Sequence, residues 1–315
     1  MIKRIIQILT FLLLIVLMIG CQKDEDNKIS IVTTIFPEYD WVNEIIGDSE
    51  QFSVTLLMDK NIDLHSFSPN FSDIKKINEC DLFIYVGGES DHWVDDVLAS
   101  CPSEKLRTIN LIEVLGDLAK LEEEIEGMEE AHEDEHDHDD AEYDEHVWLS
   151  LRNATIFVNE IKEVIKALDE NNASKYETNA QNYLAKLAAL DARYQEMVEN
   201  AAYDTLLFGD RFPFRYLVDD YNLNYFAAFS GCSSEANASF ETIIFLSRKV
   251  DELNLKVILA LENSNLETAT AIKNNTINKN QKILKINSLQ SSVLSTDSYL
   301  SIMEANLLVL EEALN

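Results

Sequence analysis

From residue 29 onward, short runs of β-branched and aromatic residues alternate with segments whose apolar positions recur at helical spacing. ISIVTTIF (29–36), FSVTLLM (52–58), DLFIYVG (81–87) and LRTINL (106–111) have the length and continuous apolar character of strands buried on both faces. DWVNEIIG and DHWVDDVLAS, lying between them, carry their apolar residues at helical intervals. The same grammar returns with TLLF (205–208), NYFAAF (224–229), KVILALE (256–262) and KILKIN (282–287), interleaved with the helical FPFRYLVDDY, SFETIIFLSRKVDEL and LETATAIKNN. Strands alternating with helices form parallel βα units with helices on both faces, so the pattern predicts two α/β lobes.

Between the lobes, from about Ala154 to Glu199, the pattern is helical throughout, with neither proline nor glycine. Its later part places Tyr176, Tyr183, Leu184, Leu187, Leu190, Tyr194 and Met197 on one stripe. A helix of about 27 residues spans on the order of 40 Å at about 1.5 Å per residue, the length of a stiff strut joining both lobes. A coiled-coil dimer helix is the competing reading, although the stripe covers few heptads. From Glu122 to Glu145 apolar residues almost vanish, and this stretch is expected to be a mobile acidic loop, rich in histidine, inserted in the first lobe.

The ends add a destination. Lys3 and Arg4 precede the apolar run IIQILTFLLLIVLMIG, which stops just before Cys21, as in a secretion signal. Leu17-Met18-Ile19-Gly20-Cys21 resembles a bacterial lipobox, which makes Cys21 the lipidated first residue of an extracytoplasmic, membrane-anchored chain; an uncleaved anchor helix would leave the remainder on the same side. The expected divisions are the signal segment 1–21, a tether 22–28, the first lobe 29–153, linking helices 154–200 and the second lobe 201–315. Cys80, Cys101 and Cys232 remain after Cys21. A Cys80–Cys101 bridge would close a short loop worth roughly 3 kcal/mol, and buried free thiols are the alternative.

Among 315 residues, 57 are acidic and 25 basic, a surface that repels nucleic acid and anionic lipid and attracts cations. Within HEDEHDHDDAEYDEHVW (132–148) stands a literal H-E-x-x-H at His132 to His136. A zinc protease needs that motif on a packed helix, and the flanks GMEEA and DHDDAEYDE offer no apolar face to hold one. His132, His136 and His138 instead suit a loose accessory collector of zinc, copper or nickel. His146 is different, because apolar Val147, Trp148 and Leu149 follow it at once and Asp144 or Glu145 can orient its ring. His65 follows the strand FSVTLLM, at the carboxyl end where ligands of open parallel sheets collect.

These residues carry a resemblance. Asp63-Leu64-His65-Ser66-Phe67-Ser68-Pro69 is similar to the D-P-H-x-(Y/F)-x-P segment, and Asp144-Glu145-His146-Val147-Trp148-Leu149-Ser150 to the D-P-H-V-W-L-(D/S) segment, of the zinc and manganese ABC-importer substrate-binding lipoproteins. With the lipobox, acidic loop and strut in the same order, the similarity covers nearly everything after Cys21. It implies two four-stranded parallel-sheet lobes joined by one long rigid helix, with one metal in the cleft and His65 and His146 as ligands. In the family a third ligand stands three residues before a helix-opening aromatic, and alignment on Phe212 puts Gly209 there. A fourth, when a carboxylate, follows the last strand, where Asn287 stands. Asp210, Glu262, Glu235, a loop histidine and Cys232 are candidate replacements, with Asp210 and Glu262 foremost.

The resemblance further implies a monomer that delivers zinc, or alternatively manganese, to an ABC permease and ATPase, by capture and hand-over rather than turnover. Affinity is expected to fall as pH falls through the ordinary histidine range. A surface lipoprotein that buffers metal or serves adhesion without a permease is the rival. A metallohydrolase would need a general base beside an open coordination position, and no nucleophile–base pair is apparent.

Overall fold

The computed structural model describes residues 28–59, 62–100, 105–129, 142–232, 238–290 and 297–315. Cys21, Cys101, His132, His136, His138 and Glu235 lie outside them. In the first lobe β1 (Ile29–Thr33), β2 (Phe52–Leu56), β3 (Leu82–Tyr85) and β4 (Arg107–Asn110) form one parallel sheet in the order β2-β1-β3-β4. Helices α1 (Phe36–Ile46), α2 (Phe71–Glu79), α3 (Trp93–Ser100) and α4 (Leu111–Leu115) connect and flank it. After the linking helices α5 (Leu151–Leu168) and α6 (Ala173–Glu199), the second lobe repeats the plan with β5 (Thr205–Phe212), α7 (Arg215–Asp220), β6 (Asn224–Ser230), α8 (Phe240–Glu252), β7 (Val257–Leu261), α9 (Glu267–Asn275), β8 (Lys282–Ile286) and α10 (Tyr299–Ala313). Its parallel sheet runs β6-β5-β7-β8. The two sheets share one strand order, so the equivalent strand ends of each lobe are available to a common cleft.

The strands form where the apolar runs predict them, and β3 and β7 are buried at every position. Helix starts follow their caps: the side chain of Asn70 accepts from the amides of Ser72 and Asp73 at the start of α2, and Ser150, Ser239 and Ser298 cap α5, α8 and α10. The 27-residue α6 buries Tyr176, Ala180, Tyr183, Leu187, Leu190 and Tyr194. Its stripe packs within this chain, on α1 of the first lobe and α10 of the second: Asn179 donates to the Ile45 carbonyl at 3.0 Å and the Tyr194 hydroxyl to the Met303 carbonyl at 2.7 Å. This intramolecular burial accounts for the stripe without a coiled-coil partner, and the break predicted nowhere in 154–199 falls at Asp169 to Asn172.

The acidic insertion differs from expectation at both ends. Leu121 bridges Tyr143, the Glu122 amide donates to the Glu142 carbonyl at 2.9 Å, and the Glu129 amide reaches the Ala228 carbonyl of β6 at 2.9 Å. Backbone pairing and docking on the second lobe hold stretches whose composition supplies little apolar area. Asp144, Glu145 and His146 are all buried. Cys80 is a free thiol, donating to the Ile77 carbonyl at 3.2 Å, with burial raising its pKa to about 12.

Candidate metal centre

His65 sits in a 3₁₀ turn, Leu64–Ser66, whose cap Asp63 accepts the His65 amide at 3.2 Å. The same carboxylate takes the Arg211 guanidinium of β5 at 2.8 Å, a half-buried ion pair that ties the His65 turn to the other lobe. Burial works against that carboxylate's charge, but the Arg211 guanidinium prevails and holds Asp63 below the usual carboxylate range. His146 enters from the docked end of the acidic insertion, fully buried, and the Tyr216 hydroxyl of α7 donates to the carbonyl of Asp144 at 3.0 Å.

The imidazoles meet at their Nε2 atoms, 3.3 Å apart. Two nitrogens bound tetrahedrally to one zinc at about 2.0–2.1 Å stand about 3.3–3.4 Å from each other, so this spacing is compatible with a shared cation. The outer faces of the rings explain why both Nε2 atoms are free to coordinate. His65 Nδ1 lies 2.8 Å from Ser90 Oγ, which donates to Glu145 Oε2 at 2.5 Å while the Ser90 amide donates to Glu145 Oε1 at 2.6 Å. His146 Nδ1 lies 3.0 Å from Asp144 Oδ1. Each carboxylate draws the ring proton to Nδ1, leaving the Nε2 lone pair facing its counterpart.

Burial, then the neighbouring His146, lowers the His65 pKa to about 3. The expected loss of a neutral ring in the ordinary histidine range is therefore displaced downward for His65, because a cationic ring would be desolvated there. In the unfolded chain it takes up its proton near 6.5, so this group draws stability from the metal-free fold as pH falls from about 6.5 toward 3. An NMR titration of the metal-free protein is expected to find the His65 ring neutral at pH 5; a midpoint between 6 and 7 would contradict the assignment.

Two further side chains reach the pair. The Gln290 amide nitrogen lies 3.0 Å from His65 Nε2 and 2.8 Å from His146 Nε2, donating to both lone pairs. Cys232, just past β6, forms with His65 and His146 a group whose ligand-capable atoms all lie within 4.8 Å of one another. Burial, then the carboxylates of Glu122, Glu145 and Asp144, raise the Cys232 thiol far above its ordinary value, so it is neutral without a cation. Its approach depends on the residue before it: a Cβ on Gly231 would stand 2.8 Å from His146 Cε1 and 3.0 Å from the Phe212 carbonyl. Gly231→Ala is expected to push the His146 ring off its position and weaken metal binding about 10-fold or more while the chain still folds, as read by metal titration and circular dichroism. Unchanged affinity would contradict this packing.

The structure does not bring the other two foremost candidates into the group. Asp210 accepts the amides of Arg211 at 2.9 Å and Leu261 at 3.2 Å, so its carboxylate is turned onto the ends of β5 and β7. Glu262 accepts the Ser288 amide and hydroxyl, both at 2.9 Å, and so fixes the turn that carries Gln290. Asn287 caps that same turn, accepting the Leu289 amide at 2.8 Å. Nor can a ligand stand at 209, where a Cβ would meet the Ala269 Cα of α9 at 2.5 Å. Gln290 carries no metal-binding signature in the sequence, although it lies in the segment after the last strand where the resemblance implies a fourth donor. A cleft of about 560 Å³, lined among others by Asp63, His65, Arg211 and Cys232, opens onto the group from the His65 side.

Two sheets of identical order, one long connecting helix and polar donors from both lobes meeting in one cleft define a two-lobed solute-binding protein. The chain belongs to the ZnuA family, described as the periplasmic component A of a zinc-uptake complex, whose family model matches residues 31–313. It is similar to the zinc-binding lipoprotein AdcA of Streptococcus pneumoniae serotype 4, 30% identical over 294 residues that make up 92% of this chain and 57% of that protein. The chain thus spans little more than half of that relative. The high-affinity zinc uptake system protein ZnuA of Bacillus subtilis is 29% identical over 299 residues, covering 94% of this chain and 90% of its own length. The crystal structure of the Zn(II)-bound ZnuA-like domain of S. pneumoniae AdcA superimposes with a TM-score of 0.71 at 26% identity, covering 91% of this chain and 99% of that domain.

Proposed function

We propose that this protein captures one zinc ion between its lobes outside the cytoplasm and hands it to the permease and ATPase of an ABC importer. The observation that carries the reading is the 3.3 Å approach of His65 Nε2 and His146 Nε2, each ring held by a partner on its far side. Zinc is the cation named for the pneumococcal and Bacillus relatives, and two imidazoles are donors it accepts readily. The work is equilibrium binding and release. The chain is expected to act as a monomer, anchored through lipid on Cys21, with the histidines at 132, 136 and 138 as an accessory collector.

Zinc and manganese titrations of the full chain, with and without residues 130–141, test this. Tight zinc binding at one site is expected to survive the deletion, because His65 and His146 lie outside the deleted stretch. Loss of tight binding on deletion, with His65→Ala leaving the intact chain unaffected, would overturn the reading.

A further inference from the structure

The imidazole pair leaves half of a tetrahedral zinc site to be supplied, and among the described residues no carboxylate joins the group. We infer that Cys232 supplies a thiolate and Gln290 a carboxamide oxygen to the cation held by His65 and His146, making a site for a thiophilic divalent cation that discriminates against manganese. This rests on the capture function proposed above and specifies its donors.

Three features converge on it. The first is the position of the Gln290 amide. Its nitrogen stands 2.8 and 3.0 Å from the two Nε2 atoms, close to the about 3.3 Å separating donors at neighbouring vertices around zinc. The NH₂ group is placed to donate to both lone pairs. The second is the other end of that amide. Gln290 is 3% exposed, and its Oε1 is buried without a hydrogen-bond partner among the described residues, an arrangement that costs free energy unless something else uses the oxygen. A half-turn of the carboxamide exchanges nitrogen for oxygen and presents the oxygen lone pair to a cation.

The third is sulfur. Zinc holds thiolate at about 2.3 Å and imidazole at about 2.0–2.1 Å, which sets sulfur and nitrogen about 3.6 Å apart in a tetrahedron. The Cys232 group fits within 4.8 Å, so a contraction of about 1 Å completes the geometry. Glycine at 231 permits the approach, since any side chain there would meet the His146 ring. When the sulfur–metal bond forms, the thiol proton leaves to solvent and the cation sheds bound water, so one proton is released per ion from this residue. A set of two imidazoles, one thiolate and one neutral amide oxygen suits zinc, whereas manganese prefers more oxygen donors at higher coordination number.

Cobalt(II) loaded into the full chain is the probe. The wild type is expected to show an intense near-ultraviolet thiolate-to-cobalt charge-transfer band, and Cys232→Ser to lose that band, to bind zinc more than about 100-fold more weakly, and to narrow the preference for zinc over manganese. Gln290→Ala is expected to weaken zinc binding by about 10-fold or more. Absence of the band in the wild type, its persistence in Cys232→Ser, or wild-type zinc affinity in Cys232→Ser would overturn the inference. Should a variant fail to fold, the wild-type cobalt spectrum decides alone. His65→Ala separates the two levels: if it binds zinc as the wild type does, the capture reading fails, whereas loss of binding there with an unaltered Cys232→Ser leaves that reading standing and removes only the thiolate.

Discussion

Replacing His146 with alanine is expected to weaken zinc binding by more than about 100-fold, measured by competition with a chromophoric chelator, while the far-ultraviolet circular dichroism stays that of the wild type. The ring is wholly buried, its Nδ1 is held by Asp144 and its Nε2 faces His65 at 3.3 Å. Removing it deletes one donor and also the geometry it imposes on the others, so the loss should exceed the 10- to 100-fold typical of an outer partner of a ligand. The neighbouring Glu145, which reaches His65 Nδ1 through Ser90 and directly at 3.4 Å, provides the comparison, and Glu145→Gln should cost about 10-fold. A His146→Ala protein that keeps wild-type affinity would put the principal site elsewhere.

The largest loss of stability is expected two residues away. Trp148 is fully buried beneath the site, its indole N–H donating to the Ser288 carbonyl at 2.9 Å and its own carbonyl accepting the Tyr299 hydroxyl at 2.8 Å. It thereby joins the segment carrying His146 to the turn carrying Gln290. Trp148→Ala empties that volume and strands the Ser288 carbonyl, at a cost of about 3–5 kcal/mol against the about 5–15 kcal/mol that holds a typical domain. Denaturant unfolding monitored by circular dichroism gives the difference directly. A change below about 1 kcal/mol would mean that the indole is not the keystone between these loops.

Much of the fold was legible because buried parallel strands leave continuous apolar runs, and each of the eight runs became a strand within a few residues of its predicted limits. The strut was legible too, since a stripe from Tyr176 to Tyr194 has to be buried somewhere, and both lobes of the chain itself cover it. The site was only half legible. His65 and His146 stand out because an imidazole at a strand end, or at the return of a polar loop to apolar core, has few uses there. Asp210 and Glu262 fell in the correct region and carry the expected charge, yet backbone amides at 2.9–3.2 Å and the Ser288 hydroxyl take up their oxygens. That competition follows from the turn conformation, which residue type does not report. Gln290 is the converse, an amide with no metal-binding signature whose significance comes from where the turn at Ser288 and Leu289 aims it. The acidic insertion misled through composition, because its ends are held by backbone pairing rather than apolar area.

Anomalous diffraction at the zinc absorption edge from crystals of the zinc-loaded protein tests the central claim most directly. The account predicts one strong peak about 2.0–2.1 Å from both His65 Nε2 and His146 Nε2, between the two lobes. A principal peak remote from these two nitrogens, or one bound by only one of them, would contradict it.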